Sequence, residues 1–195
     1  MAYPPRPCFE GAVYHVTVRG DNREPTFLGD ADYCHYLGLL RRYKEQFRFT
    51  LYAYALMPNH VHLILEPSTG STISRIMQSL SIAYTRYFNE RYHRVGHVFQ
   101  GRFHSRLIDK DNYLLVATRY VHRNPVRAKL SQRAEQYPWS SYLAYVDPRA
   151  DGWRLADASL PLALAAPGLG AIEQQRREYR TLTETPIPAD LADRI

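Results

Sequence analysis

Two periodicities divide the chain. In residues 11–20, "GAVYHVTVRG", Val13, His15 and Thr17 alternate with Tyr14, Val16 and Val18, the spacing of a strand that ends at Gly20. The polar run "DNREPTFLGD" with Pro25 follows as a loop. From Asp30 to Phe47 the repeat lengthens: Tyr33, Tyr36, Leu37, Leu40 and Tyr43 fall on one stripe of a helix, with Asp30 as its expected N-cap. Residues 48–57, "RFTLYAYALM", return to strand character, and Pro58-Asn59 supplies turn chemistry. "HVHLILEP" is then a third strand, antiparallel to the second, and the turn places His60 at its opening.

The clearest helix spans 71–92, where Ile73, Ile76, Met77, Leu80, Ala83, Tyr84, Tyr87 and Phe88 follow the 3.6-residue period. Arg75, Gln78, Ser79, Arg86 and Asn89 take its other side. Residues 93–108, "HRVGHVFQGRFHSRLI", are basic and end in a candidate fourth strand; a helix from about Asp111 to Asn124 follows. Strand, helix, strand, strand, helix, strand, helix is the order of a split βαβ unit. The expected fold is therefore α+β, a ferredoxin-like antiparallel sheet with helices packed on one face. After "YPWSSYLAYV" (137–146) the chain turns rich in Pro, Gly and Ala, and 171–183 reads as a short charged helix. Residues 1–146 are expected to form the main domain and 147–195 a C-terminal extension.

Composition narrows the function classes. A chain of 195 residues can bury a proper core, and no apolar run approaches the roughly 18 residues of a membrane span. "MAYPPRPCFEG" is too proline-rich for a signal peptide, and Cys8 and Cys34 have neither metal nor redox spacing, so a reducing cytoplasm is the expected compartment. The net charge of +6 and the sixteen tyrosines change the picture more. Guanidinium forks grip phosphates and phenol rings stack on bases, which points to a nucleic-acid partner. No GxxxxGK[ST] phosphate loop is present, so ATP-coupled chemistry has no support and no nucleotide cofactor is expected.

Within this frame two polar pairs stand out. His60 and His62 flank Val61, so on a strand they share one face about 6–7 Å apart, near enough to converge on one ion. The plainer alternative is two polar residues on a half-solvated strand. Tyr120 and Asn124, four apart, share a helix face about 6 Å apart. Two imidazoles and an amide oxygen leave positions open on a divalent ion for water or a phosphate oxygen. Asn124 also precedes Pro125, a common place for a helix to end. His15 and His122 read as structural or phosphate-facing.

The stretches "YHVTVRGDNREPTF", "YALMPNHVHLILEP", "HRVGHVFQGRFHSRLI", "YLLVATRYVHRNPVRAKL" and "YPWSSY" run in one order over about three quarters of the chain. In this the sequence resembles the IS200-type single-tyrosine transposases of the HUH endonuclease superfamily, and more closely their REP-associated tyrosine transposase group. The resemblance implies that His60 and His62 are the HUH pair, that Tyr120 is the nucleophile, and that Asn124 stands at a third metal ligand position, holding Mg²⁺ or Mn²⁺. It implies a single-stranded DNA substrate with palindromic hairpins, cleaved through a 5′-phosphotyrosine link, by a monomer or a homodimer. Arg94, Arg102, His104, Arg106, Arg119, Arg123 and Arg127 are the expected grip on its phosphates. A non-catalytic hairpin binder on the same basic face is the competing reading. Nothing functional is carried onto 147–195.

Overall fold

The computed structural model describes residues 9–168, 170–188 and 191; Cys8 lies outside them, and Cys34 is an exposed free thiol. Four strands, β1 (Val13–Arg19), β2 (Thr50–Met57), β3 (His60–Glu66) and β4 (His104–Ile108), form one antiparallel sheet in the order β2-β3-β1-β4. Helices α1 (Asp30–Phe47) and α2 (Ile73–Tyr92) complete the ferredoxin-like unit. Strand alternation sends Tyr14, Val16, Val18, Leu51, Tyr54, Leu56, Val61, Leu63 and Leu65 to one face. There they meet Tyr36, Leu37 and Leu40 of α1 and Ile76, Met77, Leu80 and Tyr84 of α2 in the main core. Each such fully buried aliphatic side chain stabilises the fold by about 1.5–3 kcal/mol.

The expectation of helices on one face holds for these two. A third helix, α3 (Lys110–Arg127), covers the opposite face, where Leu114, Ala117 and Val121 pack on Val13, Ala53, Ala55, Ile64 and Ile108. This second layer is what puts Tyr120 over the sheet.

Two helix ends depart from expectation. The N-cap of α1 is Gly29, not Asp30; Asp32 takes the cap role, its Oδ2 accepting from the amides of Leu28 and Gly29 at 2.7 and 3.2 Å. A carboxylate two residues into the helix can fold back on these orphan amides while accepting from the Tyr87 and Tyr92 hydroxyls, which a side chain at Asp30 does not do. Nor does α3 stop before Pro125: it runs on to Arg127, and Pro125 is buried in its last turns. Proline removes one intrahelical hydrogen bond there, and the following turn closes through Ala128 N–H to the Asn124 carbonyl at 2.9 Å. Because the helix continues, Tyr120, Asn124 and Arg127 remain on one stripe.

The rest of the chain packs as satellites. "YPWSSY" lies along the outer edge of β2: Leu56 N–H donates to the Trp139 carbonyl at 2.9 Å and Ser141 N–H to the Tyr54 carbonyl at 3.0 Å. That closes a sheet edge that would otherwise offer itself to another strand. Short helices α4 (Tyr142–Val146) and α5 (Ser159–Ala165) and the longer α6 (Ile172–Glu184) build a third cluster around Tyr142, Tyr145, Leu162 and Tyr179. The charged helix expected at 171–183 is α6. No helix among the described residues is long and apolar enough to cross a membrane.

Candidate active site on the second sheet face

On the α3 side of the sheet, register lines up a row of polar side chains. Thr17 of β1 lies between His62 of β3 and His104 of β4; Arg19 opposes His60, and His15 opposes Arg106. All share one face by strand alternation. The His60 and His62 rings meet edge to face with centroids 4.9 Å apart. Tyr120 approaches from α3, its ring 6.2 Å from that of His62 and 5.7 Å from that of His15. The structure thus brings together the strand pair and the helix tyrosine, which are about sixty residues apart in sequence.

Electrostatics prepare the two imidazoles as lone-pair donors. Burial, with Arg19 assisting, pushes His60 down to about 4. Burial holds His62 well below the ordinary imidazole range, and His15, His60, Arg19 and Arg127 act in the same direction. Both rings are neutral at pH 7, the form that ligates a cation. Each uses its Nδ1 toward the protein: that of His60 lies 2.7 Å from Asn59 Oδ1, and that of His62 lies 2.9 Å from His15 Nε2 and 3.3 Å from Thr17 Oγ1.

Asn124 is buried one turn beyond Tyr120, and its Nδ2 has no hydrogen-bond partner. Two neutral imidazoles on one strand face suit a divalent ion that takes nitrogen donors and keeps sites for water or phosphate; on Asn124 only Oδ1 could join them, since an amide NH₂ donates hydrogen and holds no cation. Among the described residues no three His, Cys, Asp or Glu side chains cluster to hold a metal, so an ion here would depend on this mixed set.

The arginines divide. Arg127 is exposed, with its guanidinium carbon 5.0 Å from the centroid of the Tyr120 ring. His104 and Arg106 are exposed on β4 on the same sheet face as the histidines, and Arg102 is exposed in the loop before it. Arg94 is farther off, paired with Glu24 at 3.6 Å and lying over Phe88. Arg119 and Arg123 are a correction to the DNA-gripping set. Arg119 is buried and donates to the Leu182 and Thr185 carbonyls; Arg123 donates to those of Thr183 and Glu184 at 2.5 and 2.7 Å. The C-terminal end of α6 offers unpaired carbonyls and a negative dipole end, which two guanidinium groups satisfy. His122 beside them is fully buried between the Tyr179 hydroxyl and Ser141 Oγ, both at 2.8 Å, and burial pushes it down to about 3.

Sequence reasoning passed over Asn59, Thr17 and Arg19, and set His15 aside as structural or phosphate-facing. The signal for the β1 residues was in the alternation of "YHVTVRG": once that strand pairs with β3, every second residue must share the histidines' face.

Fold and site together define a ferredoxin-like domain with paired histidines on the central sheet and a tyrosine over them. The family model described as "Transposase IS200 like" matches residues 8–124, more than half of the chain, from the approach to β1 through Asn124. The chain belongs to the IS200-like transposase family, a class of enzymes that cut and rejoin DNA. It is 25% identical over 147 residues to a Haemophilus influenzae protein named as a REP-associated tyrosine transposase, covering 68% of this chain and 81% of that one. A solved structure of a REP-associated tyrosine transposase bound to a REP hairpin is similar in fold, with a TM-score of 0.64 at 20% identity, over 81% of this chain and 93% of that one.

Proposed function

We propose that the protein is a metal-dependent single-stranded DNA transesterase that cleaves and rejoins DNA beside hairpin elements, with Tyr120 as nucleophile. The observation that carries this is the convergence of Tyr120 with two neutral histidines across two layers of the fold. His60, His62 and Asn124 would hold Mg²⁺ or Mn²⁺, which when bound polarises the scissile phosphate and offsets its developing charge. Tyr120 Oη forms a bond to phosphorus and gives up its proton, while the P–O3′ bond breaks and a 3′-hydroxyl leaves. The product is a 5′-phosphotyrosine. One phosphodiester replaces another, so a second 3′-hydroxyl can reverse the attack and join strands without a nucleotide cofactor. Arg127 adds positive charge beside the reacting phenol, and His104 and Arg106 lie on the same sheet face.

The family, the hairpin bound by the solved relative and the chain's net charge of +6 support this substrate class. The test is incubation of wild type and Tyr120→Phe with end-labelled single-stranded hairpin DNA and Mn²⁺ on a denaturing gel. A shifted covalent band with wild type alone supports the reading. Cleavage by both without an adduct means that water, not tyrosine, attacks.

A further inference from the structure

The turn between β2 and β3 does more than reverse the chain. Loop 20–27 is clamped against it: Gly20 N–H donates to the Asn59 carbonyl at 2.8 Å, and Thr26 N–H to the Pro58 carbonyl at 2.8 Å. Gly20 makes this approach possible, since a Cβ there would sit 2.3 Å from the Glu24 carbonyl oxygen and 2.8 Å from Thr26 Cγ2. Asn22 and Arg23 lie in left-handed backbone, with φ of 49° and 60°. The loop so formed brings the Arg23 carbonyl to 2.9 Å from Asn59 Nδ2.

That contact fixes which way the Asn59 amide faces. A backbone carbonyl only accepts, so the edge toward Arg23 must be the NH₂ group. The other edge, Oδ1, then points at His60 Nδ1 at 2.7 Å, and an amide oxygen also only accepts. His60 Nδ1 must therefore carry hydrogen. In a neutral ring the lone pair is left on Nε2. His62 has no such one-way chain, because both of its Nδ1 neighbours, His15 Nε2 and Thr17 Oγ1, can donate or accept.

We infer that Asn59 is a positioning residue for the site, holding His60 in the Nδ1–H tautomer so that Nε2 faces the incoming cation as a lone-pair donor. The inference deepens the reading of a metal-dependent site and rests on it for its purpose, though not for its geometry. Outer partners of this kind set the ring orientation and basicity of metal-binding histidines, and their loss typically weakens affinity by about 10–100-fold.

The experiment reads the tautomer and the metal separately. Long-range ¹H–¹⁵N spectra of the metal-free protein at pH 8 should show His60 as the Nδ1–H form in wild type, as a mixture in Asn59→Ala, and again as Nδ1–H in Asn59→Asp, which keeps an oxygen acceptor. Mn²⁺ titration of the same proteins should show Asn59→Ala weakened by about 10-fold or more and Asn59→Asp restored toward wild type. Wild-type His60 in the Nε2–H form, or an Asn59→Ala spectrum identical to wild type, overturns the inference. The predicted tautomers with no Mn²⁺ binding by wild type would instead overturn the metal-dependent reading and leave the role of Asn59 in setting the tautomer in place.

Discussion

Helix α3 carries two rows of polar side chains, one residue apart in sequence and opposite in circumstance. Tyr120, Asn124 and Arg127 follow the stripe that looks onto the sheet; Arg119, His122 and Arg123 look away toward α4 and α6. The first row leaves chemistry unfinished, with an orphaned amide and a phenol over neutral imidazoles. The second is occupied by internal partners: four carbonyls at the end of α6, a tyrosine and a serine. The lesson is that a basic cluster in sequence is not a basic surface. Side chains from one helical turn can serve a substrate or a fold, and only their partners tell which.

Substitutions on the two rows should separate activity from stability. The largest effect is expected for Tyr120→Phe, which removes the proposed nucleophile and should abolish covalent capture of DNA, while the unfolding midpoint in urea shifts by no more than about 0.5 kcal/mol equivalent. His122→Ala should do the converse. It opens a cavity and removes the ring that bridges the Tyr179 hydroxyl and Ser141 Oγ, so urea denaturation should show a loss of about 3 kcal/mol.

Acid should reveal the same buried ring. His122 is held neutral at about 3, against about 6.5 for an ordinary histidine. Below pH 6.5 the unfolded chain takes up a proton that the folded chain refuses, so stability is full above that pH and falls on acidification toward pH 3. The slope is up to about 1.4 kcal/mol per pH unit from this group. His60, at about 4, acts in the same direction over its own window. Denaturation midpoints between pH 7 and 5 measure the effect, and His122→Gln should flatten it.

The smallest effects discriminate most finely between the arginines. Arg127→Ala should reduce the slope of log affinity against log salt by about 1 with little change in stability. Arg123→Ala should leave that slope unchanged and cost about 1 kcal/mol of stability. A fluorescence-anisotropy titration at several salt concentrations compares the two, and equal slopes for both variants would erase the distinction drawn between the rows.

Local signals in the sequence carried much of this site. Alternation across "HVHLILE" put His60 and His62 on one face, and the four-residue spacing put Tyr120 and Asn124 on another. What joined the two pairs was not local. No periodicity says that α3 crosses to the face opposite α1 and α2; that follows from which apolar residues remain uncovered once the main core has closed. The partners of Arg119 and Arg123 lie about sixty residues downstream, in a region whose composition gave only a short helix. Asn124-Pro125 reads locally as a stop, but burial of Pro125 keeps the helix going to Arg127. Asn59 was legible as a turn residue and nothing more, because its second role needs the loop at Arg23 to be folded against it.

The most direct measurement is to react the protein with single-stranded hairpin DNA and Mn²⁺, digest with nuclease and trypsin, and locate the adduct by mass spectrometry. Cleavage after Arg119 and Arg123 releases residues 120–123, Tyr-Val-His-Arg. This peptide should carry a 5′-phosphorylated nucleotide remnant on Tyr120. A remnant on any other tyrosine, or cleaved DNA with no modified peptide, would contradict the assignment of Tyr120 as the nucleophile.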